Sequence, residues 1–80
     1  MNTMSKTEVI VGGIWAELLQ AEDVQSSSNF FALGGDSMML MIAQYRIAEI
    51  LKVELPPDAI SDAPTLREYC KVIDSLCDAP

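Results

Sequence analysis

The sequence of 80 residues contains no histidine. Histidine is the usual base that activates a serine or cysteine nucleophile, and it is a frequent zinc ligand. Its absence excludes Ser-His-Asp and Cys-His catalysis and histidine-containing metal sites. We therefore expect no catalytic residue and no metal site, and we expect that the chain is not itself an enzyme.

Cysteine is almost as scarce, because the sequence contains only Cys70 and Cys77. Two cysteines are too few for a structural zinc site. If both lie on one helix, about 10 Å of rise separates them, which is too far for an intramolecular disulfide. Reduced thiols are typical of the cytoplasm, and the polar segment Met1–Lys6 lacks the apolar core of a signal peptide. We therefore expect a cytoplasmic protein.

Basic residues are outnumbered, since five Lys and Arg against twelve Asp and Glu give a formal net charge of −7. This balance argues against nucleic acid and anionic membranes as partners. No segment approaches the ~20 apolar residues that cross a bilayer. The acidic surface either steers basic protein partners or only keeps the chain in solution, and composition does not separate these two interpretations.

Aromatic residues are also few, with two Phe, two Tyr and one Trp. Half of the residues are nevertheless hydrophobic and 21% are charged, which is typical of a globular chain. The core must therefore be largely aliphatic and rich in methionine. The length allows one domain over residues 1–80, which we expect to be a monomer.

Two capping boxes and one proline pair divide the chain into predicted helices. Ser5 with Glu8, and Thr65 with Glu68, have the spacing of helix N-termini. Consecutive prolines end a helix before residue 56, and residues 21–36 have the composition of a long loop. We predict helices over residues 6–20, 37–52, 58–62 and 65–77. They would form an all-α four-helix bundle with a short third helix and a long loop between helices 1 and 2.

Helical wheels give each long helix an apolar face. In the first helix it contains Ile10, Val11, Ile14 and Leu18, with Trp15 at its border. In the last it contains Leu66, Tyr69, Cys70, Ile73 and Leu76 or Cys77. The core face predicted for the second helix contains Leu40, Ala43, Ile47, Ile50 and Leu51.

The second helix has a further apolar stripe, formed by Met38, Met41, Ile42 and Tyr45. Either the short third helix or the loop covers this stripe, or it docks partner proteins. Methionine suits a docking surface because its side chain is flexible, and exposed apolar patches often mark interaction sites. We expect Met38 and Met41 to be the stronger docking candidates.

The turn Gly34-Gly35-Asp36-Ser37 allows three interpretations. It is a plain helix start if the glycines only turn the chain and Asp36 only caps the helix. A serine nucleophile, as in Gly-Asp-Ser esterases, needs a base that the chain lacks, so we reject that interpretation. A serine modified by another enzyme would be exposed there, and a phosphodiester on it would face the positive end of the helix dipole.

The segment Asn29–Met39, NFFALGGDSMM, resembles the attachment-site signature of carrier proteins. Its Gly-Gly-Asp-Ser form is typical of peptidyl and aryl carrier domains of nonribosomal peptide synthetases. Residues 14–19 (IWAELL), 53–56 (VELP) and 63–66 (APTL) are similar to other landmarks of that family. The resemblance extends over residues 9–73. The sequence departs from the family pattern at Ser61, which stands where many relatives have an aromatic residue.

The resemblance implies a bundle of the acyl-carrier-protein type. It implies that Ser37, in a motif with Gly35 and Asp36, receives 4′-phosphopantetheine from a phosphopantetheinyl transferase that uses coenzyme A. The arm would hold an aminoacyl, aryl or acyl group as a thioester. An adenylation enzyme or acyl or aminoacyl ligase would load it, and condensing, tailoring or thioesterase enzymes would unload it. The family's docking positions fall on Met38, Met41 and Tyr45.

Two other functions stay open at this point. An acyl carrier protein of fatty acid or polyketide synthesis would have the same site and a different cargo. A helical protein-interaction module would use Ser37 only to begin a helix.

Overall fold

A computed structural model of the chain describes residues 4–56 and 58–77. It contains four helices: α1 (Lys6–Leu19), α2 (Ser37–Leu51), α3 (Ala59–Asp62) and α4 (Leu66–Cys77). The predicted all-α bundle, with a short third helix and a long loop after the first, is confirmed. The predicted domain also includes residues 1–3, 57 and 78–80, which lie outside the described residues.

The helix ends follow from local hydrogen bonds. Ser5 and Glu8 form the complete capping box predicted for α1. At the start of α4, the Thr65 hydroxyl accepts from the Glu68 N–H at 3.3 Å and donates to the Glu68 carboxylate at 2.8 Å. Helices α1 and α2 end one residue before their predicted limits because Gln20 and Lys52 adopt left-handed backbone angles, with φ of 53° and 56°.

The core lies where α1 packs against both α2 and α4, while α3 packs against α4. Trp15, which the helical wheel places at the border of the α1 stripe, is completely buried. The wheel treats α1 alone, whereas the loop lays Phe30 over the indole, with ring centroids 5.1 Å apart in an edge-on arrangement. Tyr69 of α4 lies on the indole as well, at 5.8 Å.

Two wheel predictions fail near helix C-termini. Ile50, expected in the core face of α2, is 56% exposed. It lies at the edge of that arc in the last turn of the helix, where Ile47 is buried and Leu51 is partly buried in the core. At the end of α4, Leu76 and Cys77 are both exposed, so the buried face of that helix ends at Ile73.

The long loop is fixed to the beginning of α4 by backbone hydrogen bonds. The Phe30 N–H donates to the Pro64 carbonyl at 2.9 Å, and the Leu66 N–H donates to the Ser28 carbonyl at 2.9 Å. The Arg67 N–H donates to the Ser26 carbonyl, also at 2.9 Å. The loop therefore has a defined position on the bundle, although it contains no helix of its own.

Over the described residues, every helix is too short or too polar to cross a bilayer.

Candidate functional site

The turn before α2 is organised by Asn29. Its side-chain oxygen accepts from the N–H groups of Phe31 and Ala32, at 2.9 and 3.1 Å. Its carbonyl accepts from the Leu33 N–H at 3.0 Å. These bonds wind the chain into a compact turn, because a short polar side chain can satisfy backbone donors two and three residues away.

The two glycines of the motif serve different purposes. Gly34 has a φ of +101°, which side-chain-bearing residues rarely adopt, and a Cβ there would meet no neighbour within 4 Å. At Gly35, by contrast, a Cβ would lie 2.3 Å from Cε2 of the Phe30 ring. Gly34 is therefore required by the backbone turn, whereas Gly35 is required because an aromatic ring fills the space of its side chain.

Asp36 and Ser37 begin α2 as the sequence predicts. The Asp36 carboxylate accepts from the Met39 N–H at 2.9 Å, and its carbonyl accepts from the Leu40 N–H at 2.9 Å. Ser37 is the first residue of the helix, and its side chain is exposed. The N–H groups of Ser37 and Met38 belong to the first turn, which helix geometry leaves without intrahelical acceptors.

This arrangement fits a phosphodiester linked to the serine oxygen. The hydroxyl is accessible, and the neighbouring first-turn N–H groups and the positive end of the helix dipole favour an anion at this position. Asp36 is the acidic residue nearest along the chain, and its carboxylate is already engaged with the Met39 N–H.

The second stripe of α2 is exposed on the same helix. Met38, Met41 and Tyr45 are 73%, 69% and 68% exposed, and Ile42 is 43% exposed. Of the two interpretations of the stripe, coverage by the short third helix or the loop is therefore wrong. The reason is that α3 packs against α4, with Ala59 and Ile60 buried. Nothing in the described part of the fold thus covers the predicted docking residues.

A groove of about 510 Å³ borders this stripe. Met41, Tyr45 and Ala48 form one side of it, and residues 53–55 form the other. Tyr45 carries a raised pKa, because its hydroxyl hydrogen-bonds to the Glu49 carboxylate and that negative charge opposes ionisation. The stripe therefore combines apolar side chains with a neutral phenol and an acidic edge.

The thiols lie outside this site. Cys70 is buried, and burial, followed by the charges of Glu8 and Asp74, raises its pKa to about 12. Cys77 is free and exposed at the end of α4. Within residues 4–56 and 58–77, no group of three or more Cys, Asp or Glu side chains is placed to hold a metal ion.

Comparison with known proteins identifies the family of the chain. Residues 10–73 match the family described as "Phosphopantetheine attachment site". The chain belongs to this family. Its cofactor is 4′-phosphopantetheine, which is held covalently, and the carrier resemblance of the sequence is confirmed.

Relatives of this phosphopantetheine carrier include the nonribosomal peptide synthetase ataP of Aspergillus terreus. The identity is 36% over 77 residues, which are 94% of this chain and 5% of that protein. Phosphinothricin tripeptide synthetase PhsB of Streptomyces viridochromogenes is 35% identical over 63 residues, which are 79% of this chain and 5% of that protein. The chain thus spans a very small part of such relatives.

Two solved structures are similar at 26% identity. A docking-domain complex of the Pax nonribosomal peptide synthetase, PaxA T1-CDD/PaxB NDD, has a TM-score of 0.85 and covers 92% of this chain and 71% of that one. BlmI, a type-II acyl carrier protein of bleomycin biosynthesis in Streptomyces verticillus, has a TM-score of 0.80 and covers 86% and 83%.

Reasoning from the sequence missed the contact of Phe30 with Gly35. The sequence indicated only that the two glycines turn the chain. The available signal was a bulky aromatic residue five positions before Gly35. This glycine is the second of two in a row, although one glycine is enough for the turn. Recognising it requires knowing that the Gly35 N–H bonds to the Phe30 carbonyl at 3.0 Å, which closes the turn.

Proposed function

We propose that the Ser37 hydroxyl of this carrier domain bears the phosphopantetheine arm, within the motif Gly35-Asp36-Ser37. The observation that carries the assignment is the position of Ser37. It is an exposed hydroxyl at the first residue of α2, beside first-turn N–H groups, inside the region that matches the attachment-site family.

The modification has a simple balance of bonds. The Ser37 oxygen forms a bond to the phosphorus that carries pantetheine in coenzyme A. The bond from that phosphorus to the adjoining phosphate oxygen breaks, and adenosine 3′,5′-bisphosphate leaves with the electron pair. The serine proton passes to a base of the transferase.

The domain itself is not an enzyme in this proposal. When attached, the arm supplies a thiol that holds an aminoacyl, aryl or acyl group as a thioester. The chain contributes a rigid attachment point that raises the effective concentration of the cargo near successive partners. Those partners are the transferase, an adenylation enzyme or ligase that loads the thiol, and condensing, tailoring or thioesterase enzymes. The similarity to nonribosomal peptide synthetases supports a peptidyl or aryl cargo.

The proposal places partner docking on Met38, Met41 and Tyr45. All three are exposed on α2, and Met38 follows the modified serine directly. Flexible methionine side chains adapt to partners of different shape, which suits a carrier that visits several enzymes. The proposed carrier is a monomer with a single domain over residues 1–80. It is placed in the cytoplasm, where the free thiols of Cys70 and Cys77 would stay reduced.

The test is intact mass before and after incubation with coenzyme A and a broad-specificity phosphopantetheinyl transferase. We expect a gain of one phosphopantetheine in the natural sequence and none in Ser37→Ala. A gain that persists in Ser37→Ala would refute the assignment of the residue. No gain in a folded, initially unmodified sample would refute the carrier role.

A second candidate is an acyl carrier, and the similarity to BlmI favours it. It shares the Ser37 chemistry and differs only in cargo. Loading assays with amino acids and with fatty acyl donors, each with its own ligase, separate the two.

A further inference from the structure

We propose that Phe30 is a positioning residue for the modification, acting through Gly35 to hold the Ser37 hydroxyl in its reactive orientation. This inference rests on the proposed attachment of the arm to Ser37. Phe30 does not precede the serine closely in sequence, and its ring is completely buried. Its influence must therefore pass through the backbone of the turn.

The ring occupies the place of the missing Gly35 side chain. A Cβ at Gly35 would lie 2.3, 2.5 and 2.7 Å from Cε2, Cδ2 and Cζ of Phe30, all of them closer than real Cβ atoms approach other heavy atoms. The Gly35 N–H also donates to the Phe30 carbonyl at 3.0 Å. Phe30 thus contacts Gly35 both through its ring and through its backbone.

Phe30 is itself held on two sides. Its ring meets the Trp15 indole edge-on, with centroids 5.1 Å apart and an interplanar angle of 65°. Its N–H donates to the Pro64 carbonyl, which belongs to the connection between α3 and α4. Since Phe30 and Trp15 are both completely buried in a close-packed core, moving the ring away from Gly35 would disturb the packing of its neighbours.

Gly35 transmits this position to the serine. It directly precedes Asp36, whose carboxylate and carbonyl fix the first turn of α2, and Ser37 follows at once. A displacement of Gly35 therefore shifts the helix cap and the serine oxygen together. Because group transfer depends on alignment of the reacting atoms, a shift of about 1 Å can reduce a rate by about a hundredfold.

The test is a double-mutant cycle with Gly35→Ala and Phe30→Leu, measured as kcat and KM of modification by one transferase with coenzyme A. Gly34→Ala is the matched control, because it adds the same methyl group where no neighbour lies within 4 Å, although at a φ of +101°. Every variant is assayed below its melting temperature, and circular dichroism verifies its helix content.

We expect Gly35→Ala to lower kcat on the order of tenfold or more, with KM nearly unchanged because Met38 and Met41 remain exposed. Leucine lacks the Cε2 and Cζ atoms that lie 2.3 and 2.7 Å from the added Cβ, so in the Phe30→Leu background the further effect of Gly35→Ala falls below about threefold. Gly34→Ala should mainly lower the free energy of unfolding, with a smaller effect on kcat than Gly35→Ala has. A merely structural role of Phe30 would reduce the folded fraction and leave kcat of the folded protein unchanged.

Several results would overturn the inference. One is a wild-type kcat in folded Gly35→Ala. Another is an equal fall in kcat when Gly35→Ala is added to the natural sequence and to Phe30→Leu. The third is a change in KM with kcat unaltered. If Gly35→Ala does not fold, the single variant Phe30→Leu decides: a lower kcat at unchanged KM supports the inference, and an unchanged kcat refutes it. Failure of the proposed function gives a different result, in which the natural sequence gains no mass or Ser37→Ala does.

Discussion

Replacing Asp36 by alanine removes the side-chain cap of α2 and should lower stability by about 1 kcal/mol. The structure sets this magnitude. Asp36 is exposed and makes one cap bond, from the Met39 N–H to its carboxylate at 2.9 Å. No buried packing is lost, so the change should not exceed the usual range for a cap. For a domain of this size about 1 kcal/mol corresponds to a melting temperature lower by about 4–8 °C.

Asp36→Asn is the matched control, because asparagine caps nearly as well as aspartate but carries no charge. It should lose only the interaction of the charge with the helix dipole, about 0.3–1 kcal/mol at low salt and less at high salt. Thermal melts of the three proteins at low and high ionic strength measure the difference. Equal losses in both variants would show that the charge, rather than the cap bond, stabilises α2. An unchanged melting temperature in Asp36→Ala would refute the reasoning entirely.

Three further predictions concern stability and reactivity. A hydrogen bond from the Ser5 backbone N–H to its carboxylate lowers the pKa of Glu8, so the contribution of this carboxylate to stability is present above the unfolded-state pKa and is lost as pH falls through the folded-state pKa. In Glu8→Gln the urea midpoint should therefore fall less steeply below about pH 4.3. An unchanged dependence of the urea midpoint on pH in that range would contradict this prediction. Ile47→Ala should cost about 2–5 kcal/mol and Ile50→Ala under about 1 kcal/mol, because only the first is buried; equal urea midpoints would refute it. Alkylation of the folded chain at pH 8 should modify Cys77 and spare buried Cys70, and two labels in intact mass would contradict this.

Much of the fold could be predicted from local sequence. Capping boxes and prolines act over three or four residues, so they located the helix ends to within one residue. The second apolar stripe of α2 followed from the helical period alone, but its exposure did not, because coverage by the third helix or the loop was equally compatible with the sequence. By contrast, the burial of Trp15 depends on Phe30 and Tyr69, which approach from distant parts of the chain. A wheel contains no such information.

The same distinction applies to the site. Ser37, Asp36 and the turn were identifiable because their residue types and order suffice for a helix start. The separate reasons for the two glycines could not be identified in this way. Gly34 is needed for its backbone angle, and Gly35 is needed because the Phe30 ring lies against it. The presence of a glycine at position 35 does not by itself show whether the backbone needs flexibility there or whether no space exists for a side chain.

The single tryptophan of the chain gives this site an intrinsic optical reporter. Indole emission responds to nearby polarity and quenchers, and Trp15 meets Phe30 edge-on while Phe30 lies against Gly35. A loosening of the turn that exposes the Phe30 ring would therefore change the fluorescence of a residue in α1. Stopped-flow emission from an unlabelled sample can follow such opening in real time, during engagement with a tryptophan-free partner.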